Sequence, residues 1–188
     1  MPGRPRDTSR DAVIFDATLE LLTGVGYDKL SMDSIAAMAG VGKATIYRRY
    51  SGKAALVAAA VDHRAGATPP AVEAADLRGA LLEIVRWLAR EIAEQEIGLL
   101  GALFAGMRGD PDLAAAMRRI AHRDQAAMTR QPLDDGLLDP RGAALFAEIV
   151  PAMVVHRLVI VGEPCDERFL EHLVDDILLR LLKEGSRP

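Results

Sequence analysis

The chain has 188 residues and a net charge of −4; half of its residues are hydrophobic and only 4% are aromatic. This length allows one large domain or two small ones, and the abundance of Ala and Leu favours a helical core. The single cysteine, Cys165, excludes an intramolecular disulfide. Residues 1–64 carry a net charge of +2 and the remainder carries −6. A basic end joined to an acidic body suits a nucleic-acid-binding domain with a separate partner domain.

The first ten residues are polar, with Arg4, Arg6 and Arg10 among prolines and a glycine. Such a segment can lie along DNA phosphates or enter a minor groove, and it is equally compatible with a solvated terminus. It lacks the apolar stretch of a secretory signal, so we expect a cytoplasmic protein. Apolar residues at helical spacing then predict a first helix from Asp11 to Gly24.

Residues 31–50 read SMDSIAAMAGVGKATIYRRY, which predicts a helix-turn-helix. The Ser31 hydroxyl can cap a short helix that extends to Ala39. Gly40 then ends this helix, because glycine readily adopts the left-handed conformation of a tight turn. A second helix follows from about Gly42 to Tyr50. Two short helices joined in this way form a DNA-binding motif whose second helix enters the major groove.

The second helix separates its residues by face. Ile46 and Tyr50 are four residues apart, so we expect both to point inward together with Val41. The outward residues supply charge, hydroxyls and one small side chain suited to phosphates and base edges. They are Lys43, Ala44, Thr45, Tyr47 and Arg48. The alternative is a solvated helix face that carries its charge by chance.

The segment SMDSIAAMAGVGKATIYRRYSGKAAL resembles the DNA-binding signature of the TetR family of bacterial transcriptional regulators. The matching positions are Ile35, Ala36, Ala39, Gly40, Val41, Thr45, Tyr47, Tyr50, Lys53 and Leu56. The resemblance implies that Thr45 and Tyr47 contact phosphates and that Lys43 and Ala44 lie at bases. It also implies that Lys53 anchors the following helix to the DNA backbone.

Two positions depart from the family pattern. Gly42 stands where serine is common, which removes a hydroxyl cap, and Arg49 stands where histidine is common. We expect Arg49 to add a phosphate contact. The candidate DNA-binding residues are Arg4, Arg6, Ser31, Lys43, Ala44, Thr45, Tyr47, Arg48, Arg49 and Lys53.

The rest of the chain predicts further helices, which gives an all-α fold of about nine helices. A fourth helix ends near Gly66, and Ala67–Ala75, with Pro69-Pro70, reads as a linker. We therefore expect an N-terminal three-helix helix-turn-helix DNA-binding domain at 1–66 and a C-terminal helical ligand-binding and dimerisation domain at 74–185. The predicted helices of the second domain span 74–95, 97–107, 110–130, 139–161 (kinked at Pro151) and 166–184, with a loop at 131–138.

The last two helices, about 140–161 and 166–184, are apolar over more than one stripe. A helix that is hydrophobic on two faces must be buried on two faces, so we expect one face to contact a second copy of the chain. The alternative is a monomer with a thick core. Residues 143–161 include Glu148, His156 and Arg157, so we interpret this stretch as a buried core helix rather than a transmembrane segment.

The family resemblance also implies a small-molecule inducer bound within the second domain. Apolar and polar side chains suited to such a cavity are Trp87, Phe104, Met107, His122, Met153 and His156. The alternative is that Met and aromatic residues at helical spacing simply fill the core. The four histidines form no close metal spacing, and no phosphate loop or nucleophile motif is present, so we expect neither a cofactor nor an enzyme.

Two functions remain open from the sequence. The first is a ligand-responsive homodimeric repressor that binds a palindromic operator in double-stranded DNA. The second is a ligand-sensing or scaffold protein whose helix-turn-helix binds a protein partner. The salt dependence of binding distinguishes the two functions, because binding to DNA through phosphates weakens steeply as the salt concentration rises.

Overall fold

The computed structural model describes residues 8–64, 69, 71–73, 76–94 and 97–184. In these residues the regular structure is helical and contains no strand, which confirms the all-α class and the count of nine helices. The helices are α1 Thr8–Val25, α2 Met32–Met38, α3 Lys43–Tyr47, α4 Lys53–Arg64, α5 Leu77–Ala93, α6 Ile97–Gly109, α7 Pro111–Asp134, α8 Pro140–Val161, and α9, which comprises Glu167–His172, Leu173–Leu178 and Leu179–Glu184.

Contacts divide the chain into two compact units. The first contains residues 1–66 and 96–120, and the second contains 67–95 and 121–188. Helix α6 and the first part of α7 therefore belong with the N-terminal helices. The core of the first unit includes Ile14, Ile35, Ile46 and Leu56, all completely buried. Leu99, Leu103 and Leu113 from α6 and α7 extend the same core.

The second unit has a core of its own, built by α5, α8 and α9. Its largest buried side chain is Phe146 of α8, which clusters with residues such as Ile84 and Leu173. Two ion pairs join α5 to α9 at the surface. Arg78 binds Asp175 through two hydrogen bonds of 2.7 Å, and Arg86 pairs with Glu167. The Arg78 and Arg86 guanidinium groups lower the pKa values of their partner carboxyls, mainly through these hydrogen bonds.

The last turn of α7 corrects one expectation. The loop predicted from Gln131 is helical as far as Asp134, although it contains Pro132. Gly136 ends the helix with φ of +69°, and the Leu137 N–H donates to the Pro132 carbonyl at 2.9 Å. This Schellman arrangement satisfies free carbonyls of the last turn, so the glycine and not the proline determines the helix end.

Helix α8 is less buried than the sequence predicted. It is the one described helix long and apolar enough to cross a membrane by length and composition alone. Only 17% of its most apolar window is buried within the chain. Phe146, Val150 and Val154 form the stripe that enters the core, whereas Ile160 is 71% exposed. Helix α8, which we expected to be a buried core helix, is therefore buried along one stripe only. Within the single chain, other helices pack against that stripe and leave the rest of α8 exposed.

Two glycines of α6 give a matched test of packing. A Cβ at Gly106 would lie 2.6 Å from Cγ of Tyr27, whereas a Cβ at Gly101 would meet nothing within 4 Å. Gly106→Ala should lower the free energy of unfolding by about 1–3 kcal/mol, since the Tyr27 ring would have to move. Gly101→Ala should raise it by about 0.5–1 kcal/mol because alanine favours the helix. Urea unfolding measures both, and equal effects would contradict the packing.

Candidate nucleic-acid interface

The helix-turn-helix forms at the predicted position, but its second helix ends at Tyr47 and not at Tyr50. Ser31 caps α2: its hydroxyl accepts the Ser34 N–H at 3.0 Å, and the Ser34 hydroxyl in turn accepts the Ser31 N–H. This is a reciprocal capping box. Gly40 has φ of +64°, and the Val41 N–H donates to the Ala36 carbonyl at 3.0 Å. The turn is thus fixed by a Schellman motif that requires glycine at this position.

Helix α3 contains five residues and separates its side chains by face. Ile46 is completely buried, and Tyr50, just after the helix, packs against the same core. The Tyr50 ring meets Phe15 edge-on, with 5.9 Å between the ring centroids. The opposite face leaves Lys43, Ala44, Tyr47 and Arg48 exposed and Thr45 half-buried. Gly42 stands at the N-cap and supplies no side-chain hydrogen bond.

An ion pair lies near each end of α3. At the beginning, Lys43 binds Asp33 of α2, and both side chains are 59% exposed. Beyond the end, Arg49 binds Asp11 of α1, and these two side chains are 23% and 22% exposed. The Tyr50 hydroxyl lies 3.4 Å from the same Asp11 carboxylate oxygen. Neither acidic partner is predicted from the sequence, because its spacing from the basic residue follows no local pattern.

Lys53 lies in a second polar cluster. Its Nζ donates to the Tyr27 carbonyl at 2.8 Å and stands 4.1 Å from the centroid of the Tyr27 ring. The Tyr27 hydroxyl donates to Asp110 at 2.5 Å, and Asp110 also caps α7 through the Leu113 N–H. Burial and the Asp110 hydrogen bond raise the pKa of Tyr27, and the same hydrogen bond lowers the pKa of Asp110.

The candidate DNA-binding residues therefore fall into three groups. Lys43, Ala44, Tyr47 and Arg48 share an exposed face of the helix-turn-helix, beside Thr45, and Lys43 is also paired with Asp33. Ser31, Arg49 and Lys53 are engaged in contacts within the protein. Arg4 and Arg6 lie outside the described residues.

The candidate ligand-binding residues are spread over both units. Trp87 and Met153 are half-buried against the core of the second unit, and Met107 packs against the core of the first. Phe104 is 51% exposed, and His122 and His156 are exposed as well. Among the described residues, no group of three or more His, Cys, Asp or Glu side chains is placed to hold a metal ion.

Comparisons with known proteins agree with this architecture. The sequence model of "Bacterial regulatory proteins, tetR family" matches residues 14–60, and that of "Tetracyclin repressor-like, C-terminal domain" matches 71–177. The chain is 35% identical over 190 residues to a DNA-binding transcriptional repressor TetR of Mycobacteroides abscessus, covering 97% of this chain and 98% of that protein. It is 33% identical over 194 residues to an HTH-type transcriptional regulator of Mycobacterium tuberculosis, covering 98% and 92%.

A solved structure shows the same fold at lower identity. Salmonella enterica GusR superposes with a TM-score of 0.71 at 18% identity, covering 95% of this chain and 97% of that one. The chain belongs to the TetR family of transcriptional regulators. It is a DNA-binding regulator and not an enzyme, and membership of the family implies homodimerisation.

Tyr27→Phe tests the Tyr27–Asp110 hydrogen bond. The folded-state pKa of Asp110 is lowered, so the stabilisation is complete above the unfolded-state pKa of about 3.9 and disappears as the pH falls through the lower folded-state value. We expect Tyr27→Phe to lower the free energy of unfolding by about 1 kcal/mol near neutral pH, with the difference from wild type vanishing in strong acid. Urea unfolding across this pH range measures it. Tyr47→Phe, at an exposed hydroxyl, should show no such pH dependence.

Proposed function

We propose that the exposed face of α3 reads a palindromic operator. Lys43 and Ala44 would lie at bases, Thr45 and Tyr47 would bind phosphates, and Arg48 would supply charge to the backbone or a base edge. The observation that carries this proposal is the clustering of these side chains on one accessible face of a helix whose other face is buried.

The other candidate DNA-binding residues have narrower roles in this proposal. The Ser31 hydroxyl caps α2 and donates its proton to Ser34 Oγ at 2.9 Å, so it would have to exchange that hydrogen bond to donate to a phosphate. Lys53 holds the start of α4 against Tyr27 and brings positive charge to the DNA backbone. Arg4 and Arg6 would add contacts from the arm. Arg49 would act beside the end of α3, where it binds Asp11.

In this proposal the two domains have different functions. Residues 1–66 form the DNA-binding domain, and residues 74–185 bind a small-molecule inducer and form the dimer. An inducer that binds one conformation of the dimer better would shift the population away from the form that fits the operator, which gives repression that the ligand relieves. Of the candidate ligand-binding residues, Trp87 and Met153 are half-buried against the core of the second unit, which supports an apolar ligand there. The proposed location is the cytoplasm.

Selection from random-sequence duplex DNA tests the operator proposal. Purified wild-type protein should enrich a sequence with two inverted half-sites, because a symmetric dimer presents two copies of α3. Affinity for the enriched duplex should fall steeply with salt. Retention of DNA without any enriched sequence would contradict sequence-specific binding, and retention that ignores salt would contradict binding through phosphates.

Single substitutions then test the binding face. Lys43→Gln and Arg48→Gln should each weaken binding to the enriched duplex, and a residue at a phosphate should reduce the slope of log K against log salt by about 1. Arg118→Gln is the matched control, because it removes the same charge from an exposed position on α7. Equal losses for all three variants would indicate a general charge effect and would contradict the assigned face.

The dimer proposal rests on the uncovered face of α8 and on α9. Ile160, Val161 and Leu181 are 71%, 47% and 41% exposed in the single chain. Ile160→Glu should convert the dimer to monomer in sedimentation velocity, since a carboxylate would be buried without a partner at the interface. Val13→Glu, at a 49% exposed apolar residue of α1, should leave the dimer unchanged. A dimer that persists in Ile160→Glu would place the interface elsewhere.

A further inference from the structure

Two carboxylates flank the helix that faces DNA, and they are held differently. Asp33 lies at the beginning of α3 in an ion pair whose two side chains are each 59% exposed. Asp11 lies beyond its end in an ion pair whose side chains are only 23% and 22% exposed. Exposed ion pairs contribute little and separate readily, whereas a partly buried pair resists separation because each charge would lose its partner in a poorly hydrated place.

Helix α3 needs support from outside itself. Five residues are far too few to form a stable helix alone, and Gly42 provides no side-chain cap. Ile46 fixes the depth of the helix in the core, and Tyr50, beyond its end, packs against the same core. The Asp11 carboxylate adds a polar attachment at that end, because it binds Arg49 and lies near the Tyr50 hydroxyl.

We propose that Arg49 and Asp11 are positioning residues that fix the end of α3 on α1, and that Asp33 competes with DNA for Lys43. Arg49 thus acts on DNA binding through Asp11 and makes no phosphate contact of its own. On binding, Lys43 leaves Asp33 for the DNA, while Arg49 stays on Asp11. This inference rests on the proposed function, since it assigns roles around the same face of α3.

The two carboxylates give opposite predictions. Simple electrostatics predicts that neutralising either one strengthens DNA binding, because each repels phosphates. Asp33→Asn should follow that rule and strengthen binding by about threefold, since it also releases Lys43. Asp11→Asn should do the reverse and weaken binding by about tenfold, because the end of α3 loses its attachment.

Fluorescence anisotropy with labelled duplex from the selection measures these affinities over a salt series. Asp16→Asn is the matched control, because it removes an exposed carboxylate from the same helix as Asp11. It should bind as well as wild type or slightly better. Weaker binding by Asp11→Asn alone supports the inference. Binding by Asp11→Asn that equals or exceeds that of Asp16→Asn would overturn it.

The salt slope separates positioning by Arg49 from phosphate contact. Arg49→Gln should weaken binding while the slope of log K against log salt stays at the wild-type value, whereas Lys43→Gln should reduce the slope if its ammonium releases counterions. The double variant Asp11→Asn with Arg49→Gln should bind no worse than either single variant, because both remove one interaction. A slope reduced by about 1 in Arg49→Gln, with additive losses in the double variant, would overturn the inference.

Two further controls separate loss of the ion pair from loss of folding. Far-UV circular dichroism fixes an assay temperature at which every variant is folded. Asp11→Glu, which preserves the charge opposite Arg49, should recover most of the binding lost in Asp11→Asn, and failure to recover it would overturn the role of the ion pair. If wild-type protein itself shows no salt-dependent DNA binding, the proposed function fails. If wild type binds and the Asp11 variants bind equally well, the positioning inference alone fails.

Discussion

The structure of the proposed DNA-binding face depends on the burial of one side chain, Ile46. Helix α3 is too short to persist without tertiary contacts, so its existence and its orientation both follow from the core on which it rests. That core draws Ile14 from α1, Ile35 from α2 and Leu56 from α4. The exposed residues of α3 are accessible because the same helix buries its opposite face, which is how a very small element can present several polar groups together.

The core under α3 does not end with the N-terminal helices. Leu99, Leu103 and Leu113 contribute to it, and Gly106 allows α6 to lie directly against Tyr27. Tyr27 then connects in two directions, to Asp110 through its hydroxyl and to Lys53 through its carbonyl. Within the first unit, a displacement of α6 would have to move the Tyr27 ring, since a contact this close leaves no free space between them. Helices α1 to α4 thus share one core with α6 and the first part of α7.

The second unit has a separate core. Helix α5 packs on one side of α8 and α9 to form it, and the Arg78–Asp175 and Arg86–Glu167 ion pairs connect α5 to α9 at the surface. Only 17% of the most apolar window of α8 is buried within the chain, so α8 leaves a large apolar surface uncovered. The dimer interface proposed on α8 and α9 would explain this surface, because an apolar helix can be stable in a dimer with each chain covering only part of it.

The sequence alone determined the features that depend on neighbouring residues. Caps, glycine turns and helical spacing act within a few residues, so the Ser31 cap, the Gly40 turn and the inward direction of Ile46 are predictable from the residues beside them. The order of the helices and the family followed from the same local patterns.

The tertiary structure decided the contacts that join distant parts of the chain. The pairs Asp11–Arg49 and Tyr27–Asp110 are separated by 38 and 83 residues, and no local pattern specifies which of many acids meets a given base or hydroxyl. The sequence also did not predict that α6 belongs to the first unit. Gly106 by itself indicates only a weak helix former, and its role is clear only once the Tyr27 ring packed against it is known. Local chemistry thus determined the elements, and long-range packing determined which of them share a core.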